Sequence, residues 1–356
     1  MYISWRLEID TDNYLISKVL KMKQHKIRLC YGLISSDSTT GWALLNLGML
    51  LLVLFTVMPV QAGISYNFET GPLPASCIPS SPNAYTCGAA VTLGVGDTIA
   101  IAQDTEVTIT IVGAFTTGAN SSINLNSNSV LTLKTVGAVT MAVNSNINAN
   151  LIATAAVTLV TGSQLQGDID TTAGIVTIGN NTRVDGHIIT TAGGVTVGNG
   201  SFVGGDINTA AGIVTVGTNS YIAGTVSTFA GGITIGAGTK VANNVMSTGA
   251  GIITIGAGVK VYNDIRSVAG AITVGSGSGI GGNLMITGAG VMTVTNSVIE
   301  GNISTVVGAV TMTGSQAGGT IKSGAALTMT NSKQNVANYG DYRGNDRIIY
   351  RGEKIQ

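Results

Sequence analysis

Charge is scarce in this chain of 356 residues: Asp, Glu, Lys and Arg make up 10% of it, and 17 basic side chains cancel 17 acidic ones. With no basic or acidic field along the body of the chain, nucleic acid is excluded as a partner. Aromatics are held to 5%, and there are five prolines against 50 glycines. Glycine without proline excludes a disordered linker and points to ordered repeats. Ionisable side chains are thinnest between Gly137 and Asn331, with six acidic and five basic residues, and after His25 the one histidine is His187. Hydrolases and lyases built on stacked β-coils need clustered acids and bases on one face. This inventory therefore predicts a protein that is not an enzyme and takes no cofactor.

Cysteine is nearly absent as well. Of the three, Cys30 precedes an apolar run, which leaves Cys77 and Cys87 ten residues apart in a segment rich in proline, with Pro72, Pro74, Pro79 and Pro82. An even pair in an oxidising compartment predicts one disulfide. A metal site is disfavoured, because no histidine or further cysteine stands nearby to complete four ligands. The expected compartment follows from residues 43–60, an apolar run preceded by Lys18, Lys21, Lys23, Lys26 and Arg28 and followed by Val60-Gln61-Ala62. This reads as a secretion signal with a small-residue cleavage site. A retained anchor is the other reading, since 18 residues just span a bilayer, and it is the one membrane contact expected. On either reading the rest of the chain is exported, to the periplasm, the cell surface or the medium.

What the chain does have is a repeat. A threonine flanked by apolar residues recurs at Thr140, Thr158, Thr177, Thr196, Thr215, Thr234, Thr254, Thr273, Thr293, Thr311 and Thr328, in steps of 17 to 20 residues. Less regular echoes at Thr92, Thr108 and Thr132 extend the pattern toward Cys87. Apolar residues alternate with period two around each marker, as in Val176-Thr177-Ile178, which predicts strands with the threonine facing water. Seven and eleven residues beyond the marker come two more apolar positions with a glycine between them, as in Val184-Asp-Gly-His-Ile188, read as a second, tight strand. Glycines at Gly179, Gly198, Gly217, Gly236, Gly256 and Gly275 are expected to turn corners through positive φ. Corners and strands at fixed offsets describe an all-β, single-stranded parallel β-solenoid with about 19 residues per coil. The organisation expected is a secretion segment 1–62, a disulfide-pinned loop 63–87, imperfect coils 88–136, regular coils 137–331 and a charged tail 332–356 that caps the last coil or docks elsewhere.

Two columns follow from the period. Thr171, Thr190, Thr209, Thr228, Ser247 and Ser267 recur thirteen residues after the marker, and their hydroxyls are expected to bond to one another. Ten residues after it stand Asp168, His187 and Asp206, with Asp185 and Arg183 on the coil of His187. This is the one candidate ligand site, for a cation or sugar hydroxyls. The bland reading is a stacking polar ladder, because the column continues as Thr225, Asn244, Asp264 and Asn283. Ice binding would need a second threonine column beside the markers, and the flanking positions do not supply one.

The runs IGNNTRVDGHI (Ile178 to Ile188) and VGNGSFVGGDI (Val197 to Ile207) resemble the repeats of bactofilins, polymer-forming proteins with a right-handed β-helix. The likeness covers about Gly137 to Ile303, and the secretion segment departs from that cytosolic family. The layout of signal, cysteine pair and coils such as Gly301-Asn302-Ile303 is also similar to the solenoid part of the MSHA-pilus biogenesis family MshQ. These resemblances imply a structural or self-associating surface protein whose partners are further copies of itself or other envelope components. The alternative carried forward is an extracellular binding module for glycan, cation or ice.

Overall fold

The computed structural model describes residues 63–124, 128–334 and 349–351. The apolar run, Cys30 and most of the charged tail lie outside the described residues.

Alternating apolar residues at a fixed period build the expected stack. A regular coil carries three short strands, for example Val176–Ile178 on a first face, Arg183–Val184 on a second and Ile188–Ala192 on a third. Each strand pairs in parallel with its counterpart in the next coil, giving three sheets of fourteen strands. At the parallel-strand spacing of ~4.8 Å the stack is about 60 Å long. The marker threonines stand in register on the first face, with Thr158, Thr177, Thr196 and Thr215 directly paired. On either side of each marker, residues such as Val176 and Ile178 turn inward and are buried.

The second strand differs from the expectation. Val184 and Ile188 belong to two faces, and Gly186 between them occupies the corner. Both side chains point inward because the chain bends sharply between them, a spacing that a continuous strand reproduces. The glycines after the first face also have another cause. Gly179, Gly198 and Gly217 do not adopt positive φ; that conformation belongs to a column two residues on, including Asn181, Gly200, Asn219 and Gly238. Asn and Gly are the residues that tolerate it. Gly198 is required by closeness instead, since a Cβ there would lie 2.5 Å from the backbone of Gly179 in the coil below.

The echoes near the N-terminus sort differently too. Thr92 joins the marker column through Thr116, which pairs with Thr140. Thr108 and Thr132 pair with each other on the third face. These first coils take longer steps, and the additional residues fall between Ile123 on the second face and Leu131 on the third.

Residues 63–87 form more than a loop. Ser65–Asn67 starts the second-face sheet, and Cys77–Ser81 folds back antiparallel on Ala84–Cys87 at the edge of the third-face sheet. Cys77 and Cys87 face each other across that pair and are bonded. The buried Asp97 carboxylate accepts backbone N–H bonds from Ile64 and Gly94, both at 2.6 Å, and so ties this segment to the first coil. At the other end Ile349–Arg351 pairs in parallel with the first-face strand Leu327–Thr330. Among the described residues, all three sheets and the single buried core lie within the unit that begins at Ala62.

Candidate functional site

The corner between the second and third faces interrupts the strand ladders, leaving one backbone N–H per coil in need of an acceptor. The residue at that corner in the coil below supplies it. Asp168 Oδ1 accepts from the N–H of His187 at 2.7 Å, His187 Nδ1 from the N–H of Asp206 at 2.9 Å, and Asp206 Oδ1 from the N–H of Thr225 at 2.7 Å. The arrangement runs beyond the predicted members: Asn150 serves Asp168, Asp264 serves Asn283, and Asn302 serves Thr320.

Asp168, His187 and Asp206 are therefore brought together as the period predicts, with their inner polar atoms already engaged. An Nδ1 that accepts a backbone N–H carries no proton, so His187 holds its ring proton on Nε2. The nearer Asp206 carboxylate oxygen, Oδ2, stands 3.6 Å from that same Nδ1. Asp185 does not join the column; its carboxylate pairs with Arg183 on the second face. Among the described residues, no three His, Cys, Asp or Glu side chains assemble into a metal-ligating set.

The second hydroxyl column, read as self-bonded, bonds to the backbone instead, except at Ser247, whose buried hydroxyl has no partner. Thr190 Oγ1 donates to Gly174 O, Thr209 to Gly193 O at 2.7 Å and Thr228 to Gly212 O, each reaching into the preceding coil. A buried hydroxyl finds a carbonyl closer than its own counterpart ~4.8 Å away.

Two further columns escaped the sequence reading. Ser145, Ser163, Thr182, Ser201, Ser220, Thr239, Ser278, Ser297 and Ser315 are buried immediately after the positive-φ residues. Ser201 Oγ, for example, accepts the N–H of Thr182 at 3.2 Å and donates to Gly179 O at 2.8 Å. The signal was present as a periodic pair of Asn or Gly followed by Ser or Thr. On the second face, Arg183 lies 4.1 Å over the ring of Phe202, which stacks on Tyr221 at 5.7 Å. Both faces of Phe202 are thus occupied, and the ring presents its edge to solvent.

No family model, curated protein or solved structure matches this chain.

Proposed function

We propose that this chain is an exported, non-catalytic structural β-solenoid that associates with copies of itself, a polymer-forming rod in the manner of the bactofilins it resembles. The observation that carries the reading is the use of the polar column. Its side chains spend their inner oxygens and nitrogen on the neighbouring coil's N–H groups, coil after coil, which is the work of a ladder that holds a stack together. The MshQ-like layout supports a place near a pilus in the same envelope setting. Binding of a glycan or cation is the second reading, favoured by the outward-facing carboxylate atoms of Asp168 and Asp206.

Electron microscopy of residues 63–356, with and without those after Lys333, over a range of concentration tests the reading. End-to-end strings, lengthened when the tail and its strand at Ile349–Arg351 are removed, are expected. Monodisperse rods of single-chain length and width in both forms would sink self-association and turn attention to ligands of Asp168, His187 and Asp206.

A further inference from the structure

Charge is sorted around the stack. In the regular coils every charged side chain, and His187, stands six to twelve residues after its marker threonine, which places it on the second face, its corner or the start of the third. The first face and the corner joining the third face to it carry none. Along that uncharged corner one column alternates in size. Ile175, Ile213, Ile252 and Val291 are more than half exposed, at 56, 61, 58 and 51%. Between and beyond them stand Gly194, Gly232, Ala271 and Ala309. Backbone bonds set all eight in consecutive coils, for instance Val176 N–H to Gly194 O and Val195 N–H to Ile213 O. The corner is thus a row of apolar knobs about 9.6 Å apart, two coil spacings, with a gap after each.

We infer that this corner is a self-complementary interface through which two copies pair side by side and antiparallel. The inference rests on the reading of the chain as self-associating and names a lateral surface for it, distinct from the coil ends through which rods would join into strings. A partner meeting every knob with a gap must share the two-coil pitch, and a second copy has it by construction. Because knobs and gaps alternate over an even number of coils, a two-fold axis between Gly232 and Ile252 sets each knob against a gap. Ile175 meets Ala309 of the second copy, Ile213 meets Ala271, Ile252 meets Gly232 and Val291 meets Gly194. Two parallel copies in the same register would instead oppose knob to knob. No charge on this side opposes the approach. The eight coils span about 38 Å at that spacing, and a width of about 16 Å, five residues of extended chain, gives roughly 600 Å² per copy, the lower end of the range for specific interfaces. Such an isologous contact closes on itself as a dimer.

Sedimentation velocity of residues 63–356 across concentration, with circular dichroism to verify folding, tests the interface. Ile213→Asp combined with Ile252→Asp should weaken the dimer by about 100-fold or more, since both knobs lie at the centre of the contact. Ala271→Leu, which fills the gap opposite Ile213 and adds apolar surface, should weaken it by about 10-fold. If Ala271→Leu strengthens association, the surface is merely sticky and the knob-and-gap interface is wrong. Association unchanged in all variants overturns this interface while leaving self-association standing through another surface. A wild-type protein monomeric throughout overturns both.

Discussion

At His187 the ring nitrogen facing Asp206 already accepts a backbone N–H, so what the side chain contributes is an acceptor at a corner. Asparagine performs the same task at Asn150 and Asn302. His187→Asn should therefore leave thermal stability unchanged, whereas His187→Ala should cost up to about 1 kcal/mol, because the freed N–H is solvent-accessible and water replaces part of the bond. Thermal unfolding followed by circular dichroism distinguishes the two. Equal loss in both variants would mean that the imidazole itself is needed and would revive the ligand reading. The membership of this column was legible in the sequence because the period is nearly constant. Its purpose was not, since the orphan N–H arises only where the chain bends. Residue-level conformation was likewise hidden at Asn181 and Asn219, whose positive φ could have been read from the Asn/Gly alternation two residues after the visible glycines.

At the scale of the coil, the buried hydroxyl column is broken once, at Val259, which is fully buried. In the intact part of the column the N–H of Ser220 donates to Thr239 Oγ1 at 3.2 Å. The next N–H, that of Thr239, has no hydroxyl above it and makes only the long turn bond to Gly236 O at 3.4 Å, a bond that Ser145 and Ser163 make as well. Val259→Thr restores the acceptor with almost no change in volume. It should stabilise the rod by about 1 kcal/mol, seen as a rise of about 2 °C in melting temperature. A fall would show that the hydroxyl finds no carbonyl to donate to and pays only desolvation. The division of the coil into three strands was not readable from apolar spacing, because Val184 and Ile188 point inward whether a bend or an extended strand separates them.

At the scale of the whole molecule, a stack is only as secure as its ends, where open sheet edges invite pairing with other chains. The N-terminal edge of the third-face sheet is blunted by the antiparallel strand Cys77–Ser81, which contains Pro79 and an irregular register. Beneath it the Tyr85 ring packs edge-on against Phe68 at 4.9 Å. Burial, and secondarily the Glu69 charge, hold the Tyr85 phenol above its ordinary value of 10.0. The unfolded chain releases this proton first, so the stability tied to Tyr85 is complete below pH about 10 and is lost as pH rises through the folded value. Melting temperatures from pH 8 to 11 should therefore fall more steeply for the wild type than for Tyr85→Phe. Parallel curves would show that the N-terminal end does not limit stability.

The sequence alone determined the period, the inward and outward alternation and the membership of the columns, because each depends only on equal spacing along the chain. The cysteine pair was legible for a different reason, being the two thiols left after the apolar run and only ten residues apart. Only the tertiary structure decided which glycines turn and which permit close stacking, where the hydroxyls of Thr190 and Ser201 find acceptors, and to which side of the rod the charge of the regular coils gathers. Those properties depend on the distance between successive coils and on the angle at each corner, and neither quantity is carried by spacing along one strand of sequence.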